Sequence, residues 1–178
     1  TADTADAAHL AMLPTTPSLA TQAAQAVVID TQIVLDLLLF NDPAAAPLRA
    51  ALASGQLRWI ATAHMRNELE RVLHYPHIAS RVAFYQRQPA DILAQRDALI
   101  HHTHAPAPRC PYICKDPDDQ CFIDLAVAHQ ALLLSKDKQV LKLRKRLAKQ
   151  GITVQLLISN DPINQQSPID YSGLNIGN

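Results

Sequence analysis

Residues 26–31 read Ala-Val-Val-Ile-Asp-Thr. The apolar run predicts a buried strand that ends in a carboxylate, Asp30. Working outward, Thr31 to Phe40 reads as a helix, and Asn41-Asp42-Pro43 as a break. Pro47 to Ser54 predicts a second helix closed by Gly55, and Arg58-Trp-Ile-Ala61 a short second strand. Thr62 is placed to N-cap a helix that continues to about His74, where Tyr75-Pro76 ends it. Further helices are expected near Ile78–Gln86 and Ala90–His101. The segment His102 to Cys114 holds Pro106, Pro108 and Pro111 and reads as a loop. Asp116 as N-cap and Pro117 in the first turn start a helix running to about Gln130. Leu132 to Leu134 is a third strand. After Ser135-Lys136-Asp137 comes a basic helix to Gln150, which Gly151 stops, and Ile152 to Ile158 is a fourth strand. Strands separated by helical crossovers predict a three-layer α/β/α sandwich around a central parallel sheet.

This domain is expected over residues 26–158. Residues 1–25, rich in Ala and Thr, read as a loose leader with a short helical piece near Ala7–Met12, and 159–178 as a polar tail. There is no internal repeat. The chain is 48% apolar but only 4% aromatic, so its core must come from Leu, Ile, Val and Ala, as suits helices on a parallel sheet. The longest apolar stretch, Ile33 to Phe40, contains Asp36 and is too short to span a bilayer. No Lys or Arg precedes Arg49, so no signal peptide is expected and the cytoplasm is the expected compartment. The odd cysteine count (Cys110, Cys114, Cys121) points to reduced thiols. A zinc site would need tighter pairing and a fourth ligand, for which the eight His are candidates, and these are scattered apart from His101, His102 and His104. Sixteen basic residues balance sixteen acidic ones, which excludes nucleic-acid binding by net charge alone. From Lys136 to Lys149, however, seven are Lys or Arg and only Asp137 is acidic. Such a stripe can steer a polyanion, and equally it can be a solvated helix face.

The acids carry the functional signal. Asp30 and Asp137 follow strands, at the carboxyl edge where open α/β sheets build sites, although an Asp there also caps helices. Glu68 lies three residues after Met65 and four before Val72, on the stripe facing the core, whereas Glu70 faces away. Asp119 precedes Phe122, Ile123 and Ala126 by three, four and seven residues, so it lies on an apolar face, with Asp118 and Asp124 well off that line. A charge on an apolar face costs several kcal/mol unless compensated. Neither face carries Lys or Arg. Two such charges ~4 Å apart repel by about 4 kcal/mol at an effective dielectric near 20. Mg²⁺ or Mn²⁺ would remove that repulsion and take the oxygens as ligands, and phosphodiester hydrolysis is the natural chemistry of such a site.

Four segments in order resemble the PIN-domain nucleases, especially the branch of toxin components of bacterial toxin–antitoxin systems (VapC-like). They are Val27-Val-Ile-Asp-Thr31, Thr62-Ala-His-Met-Arg-Asn-Glu-Leu-Glu-Arg-Val-Leu73, Lys115-Asp-Pro-Asp-Asp-Gln-Cys-Phe-Ile-Asp-Leu-Ala126 and Leu132-Leu-Leu-Ser-Lys-Asp137. The resemblance spans roughly residues 26 to 158 and implies the same sandwich. It further implies a Mg²⁺- or Mn²⁺-dependent endoribonuclease with Asp30, Glu68, Asp119 and Asp137 as its catalytic, metal-ligating acids. Asp116 would assist as a metal ligand, and Thr31 and Ser135 would support the site. Lys138, Lys142 and Lys145 would hold the RNA backbone. The partners implied are RNA, a small antitoxin and further copies of the chain. The residue two after the first acid is commonly Asn or Ser in the family and is Gln32 here. That departure keeps a second expectation open, a catalytically weak PIN-like module acting through protein or RNA partners. A phosphatase of the haloacid-dehalogenase type would want Asp at position 32, and a phospho-accepting receiver would want paired acids beside Asp30.

Overall fold

The computed structural model describes residues 23–158. The expected leader helix near Ala7–Met12 and the polar tail lie outside the described residues. The chain runs β1 (Gln25–Ile29), α1 (Thr31–Leu38), α2 (Ala46–Ala53), β2 (Leu57–Thr62), α3 (Ala63–Leu73), α4 (Pro76–Phe84), α5 (Pro89–Leu99), β3 (Ile100–His104), α6 (Gln120–His129), β4 (Leu132–Leu134), α7 (Lys138–Leu141), α8 (Arg144–Ala148) and β5 (Val154–Gln155). Single 3₁₀ turns cover Pro43–Ala45 and Pro117–Asp119. No described helix is long and apolar enough to cross a membrane.

The strands form one five-stranded sheet in the order β3-β2-β1-β4-β5, with every pairing parallel. The apolar run of β1 explains its central place, since both faces of the strand are covered. Val27 and Ile29 pack with Leu37, Trp59, Leu69, Leu73 and Ile92, which come from β2 and the helices α1, α3 and α5. Ala26 and Val28 pack on the opposite face with Phe122, Ile123, Val140 and Leu147, from α6, α7 and α8. These are the two outer layers of an α/β/α sandwich, as the order of elements predicts.

Local signals set the helix starts. Asp30 Oδ1 accepts a hydrogen bond from Ile33 N at 3.1 Å and caps α1. Thr62 Oγ1 accepts from Met65 N at 3.4 Å and caps α3. Gly55, with φ of +77°, follows α2 in the left-handed conformation that favours glycine.

Four details differ from the sequence reading. The segment expected to be loop from His102 begins instead in a strand, β3, which pairs with β2. It was hidden because His101, His102 and Thr103 are exposed on this edge strand and show no apolar alternation. The basic helix is two short ones. Leu143 N bonds to Val140 O at 3.0 Å, a tight i→i−3 turn that separates α7 from α8. The last strand is only two residues long. Asp124, expected off the apolar line, is buried.

The sheet order positions the site. From β1 the chain winds outward through β2 and β3, then returns to the other side of β1 to lay down β4 and β5. The carboxyl ends of β1 and β4 therefore flank the point where the winding reverses, the crevice where open α/β sheets bind ligands. Asp30 follows one of these strands and Ser135 the other.

Candidate metal centre

Asp30 is 4% exposed. Its Oδ1 caps α1, and its Oδ2 accepts from Ser135 Oγ. Burial raises its pKa, opposed by the Ser135 hydroxyl and the backbone N–H groups of Ile33, Lys136 and Gln32. Ser135 Oγ in turn accepts from Asp137 N at 3.1 Å, so one hydroxyl couples the ends of two neighbouring strands.

Three acids converge beside this pair. Asp116, Asp119 and Asp137 each place a carboxylate oxygen within 4.8 Å of the others. Asp116 Oδ1 accepts from Asp118 N at 3.0 Å and Asp137 Oδ1 from Gln139 N at 2.6 Å. Both are therefore caps, as the sequence suggests for Asp116, and the caps use Oδ1 in each case. Asp119 Oδ2 is buried and has no hydrogen-bond partner. Its carboxyl is pushed up to about 7, first by burial and then by the charges of Asp137, Asp116, Asp30 and Glu68. Arg66 pairs with Glu70 and Asp97, Arg96 with Asp97, and Lys136 with Asp36. A buried orphan oxygen inside a set of oxygen donors fits a hard divalent cation such as Mg²⁺ or Mn²⁺.

Glu68 sits half-buried on α3, as its place on the apolar stripe predicts, and Glu70 is exposed. Thr31 Oγ1 donates to Glu68 Oε1 at 3.3 Å. Burial raises its pKa, against that hydrogen bond and the charges of Arg71 and His64. Glu68 adds to the field on Asp119, and it also forms a group with His64 and Cys121 whose ligand atoms all lie within 4.8 Å of one another. The Cys121 thiol is pushed up to about 12, first by burial and then by the Glu68 charge. The structure thus gathers Asp116, Asp119 and Asp137 into one set, links Asp30 to Asp137 through Ser135, and places Glu68 in a second set with His64 and Cys121.

A family profile described as PIN domain matches residues 26–139, which include every one of these side chains. The chain belongs to the PIN domain family. No curated protein matches the chain.

In this PIN domain Thr31 and Ser135 contact Glu68 and Asp30 respectively. Gln32 is exposed in the first turn of α1. Lys138, Lys142 and Lys145 are exposed, and Lys142 Nζ reaches Gln139 Oε1 at 3.4 Å. The turn at Leu143 puts Lys145 on α8, so the three do not share one helical stripe.

Sequence reasoning missed a buried polar network behind the site. Gln120 Nε2 donates to Asp124 Oδ1 at 2.8 Å and to Tyr112 O at 2.9 Å, and its Oε1 accepts from Cys114 N at 2.7 Å. Asp124 Oδ1 also accepts from Cys110 N at 3.0 Å. These bonds tie residues 110–114 to α6 and so hold the segment that leads into Asp116. The spacing of four between Gln120 and Asp124 was the available signal.

Proposed function

We propose that this PIN domain is a divalent-metal-dependent endoribonuclease, the toxin member of a toxin–antitoxin pair acting in the cytoplasm. The observation that carries the metal-dependent reading is Asp119, whose buried Oδ2 lacks a partner among acids that would otherwise repel it. Asp116, Asp119 and Asp137 would hold the ion, with Asp30 and Glu68 shaping the field around it. A bound Mg²⁺ or Mn²⁺ would supply activation of water and stabilisation of charge on the phosphate. Ser135 keeps Asp30 and Asp137 in register, and Thr31 orients Glu68. Exposed Lys138, Lys142 and Lys145 would contact the RNA backbone without reading sequence. RNA, a small antitoxin protein and self-association follow from the toxin-branch resemblance of the segments around Asp30, Glu68, Asp119 and Asp137.

The test is incubation of the purified chain with structured and single-stranded RNA, with and without Mn²⁺. Cleavage that needs Mn²⁺ and is lost in Asp119→Asn supports the assignment, and cleavage that survives Asp119→Asn would overturn it. Calorimetric titration separates the rival reading, because a chain that binds no Mn²⁺ at millimolar concentration would be a binding module acting through partners.

A further inference from the structure

His64, Glu68 and Cys121 offer one ring nitrogen, one carboxylate oxygen and one sulfur, all within 4.8 Å of one another. The proposed nuclease chemistry uses only Glu68 of the three. His64 and Glu68 stand four residues apart on α3, one turn apart on one face. Cys121 comes from the first turn of α6. Met65 of α3 and Phe122 of α6 belong to one apolar cluster, against which Cys121 packs. Two regular elements therefore carry the set. Outside it, among the described residues, Cys121 Sγ makes a weak contact with Asp118 O at 3.7 Å.

The donor types differ from those next door. Asp116, Asp119 and Asp137 are all-oxygen and hard, whereas an imidazole, a carboxylate and a thiolate suit a borderline ion. We propose that His64, Glu68 and Cys121 form a second metal site, one that takes Zn²⁺-class ions in preference to Mg²⁺. Three protein ligands leave the fourth position of a tetrahedral ion to water. Binding releases the thiol proton to solvent, and thiolate plus carboxylate then balance the two charges of the ion, with His64 neutral. His64 is exposed, so the ion has access from solvent and the imidazole is free to close on it. A consequence, resting on the nuclease reading above, is that Zn²⁺ withdraws Glu68 from the neighbouring carboxylate centre and inhibits cleavage.

The test uses Co²⁺ as a spectroscopic stand-in for Zn²⁺, added to the metal-stripped full chain. The expected result is a near-ultraviolet thiolate-to-cobalt charge-transfer band that saturates at one equivalent, persists in excess Mg²⁺ and is bleached by Zn²⁺. Cys121→Ser should abolish the band. His64→Ala, at an exposed position, should fold normally and weaken Co²⁺ binding by about tenfold or more, since losing a ligand costs at least what losing an outer partner does. A missing band, a band that survives Cys121→Ser, or unchanged affinity in His64→Ala would each overturn the site. The spectrum needs no cleavage, so it judges the site separately from the nuclease reading, which stands or falls on Mn²⁺-dependent RNA cleavage.

Discussion

Two clusters of ionisable side chains lie side by side at the carboxyl edge of the sheet, and the chain builds them in different ways. Asp116 and Asp137 occupy the starts of helical turns, where backbone N–H groups of Asp118 and Gln139 satisfy one oxygen of each. Glu68 lies mid-helix, where the backbone is already paired, and turns to the Thr31 hydroxyl, while Cys121 comes from the first turn of α6. Capping and metal binding are therefore compatible in the first cluster. The cap fixes one oxygen of a carboxylate and leaves the other, which assembles an acidic set at the cost of repulsion on Asp119, whose Oδ2 is buried without a partner. The second cluster is fixed by helix packing, carries fewer charges and mixes nitrogen, oxygen and sulfur.

The largest test of this contrast is thermal. At a Mn²⁺ concentration a hundred times its dissociation constant, the wild-type chain should gain about 2.7 kcal/mol, or about 5–11 °C in Tm. Asp119→Asn should lose most of that gain, and His64→Ala should keep it. Differential scanning fluorimetry measures both, and an equal Mn²⁺ shift in Asp119→Asn would dissolve the distinction between the clusters. Next in size is Ser135→Ala, which removes the hydroxyl donor from buried Asp30. It should destabilise the chain by about 1.5–3 kcal/mol in urea unfolding, as expected for a hydrogen bond to a charged group. Thr31→Val, on the side of the mixed cluster, should cost only about 1 kcal/mol, because Glu68 is half-buried and water can replace the lost donor.

The smallest effect concerns pH. Asp119 has an ordinary value of 3.8 and is raised to about 7 in the folded chain. Between those values the folded state holds a proton that the unfolded state has released. Its stabilising contribution is full below about pH 4 and is lost as pH rises through about 7. Ion-free protein should therefore lose stability from pH 5 to 8, by well under about 1 kcal/mol per unit once solvent screening is allowed for. Asp119→Asn should flatten that slope in urea melts across the same range. An unchanged slope would mean that Asp119 is not the strained member of its cluster.

Much of this was legible one element at a time. The Ala26–Ile29 run, the Thr62 cap and the stripe carrying Glu68 are local patterns, enforced by burial on both faces of a strand or one face of a helix. Asp116 was readable as a cap for the same reason. The edge strand Ile100–His104 was not, because its exposed histidines look like loop until β2 supplies partners for its backbone. Asp124 reads as an off-face acid until residues 110–114 fold over it and donate Cys110 N.

The sequence by itself determined a parallel α/β sandwich with acids at strand ends and on apolar faces, because periodicity and capping depend on neighbours within a few residues. Only the tertiary structure decided which side chains meet. It drew Asp116 into the tight set with Asp119 and Asp137, and it set His64 and Cys121 against Glu68. Those meetings depend on how α3 and α6 pack across the end of the sheet, and helix packing joins residues whose separation along the chain carries no periodic signal.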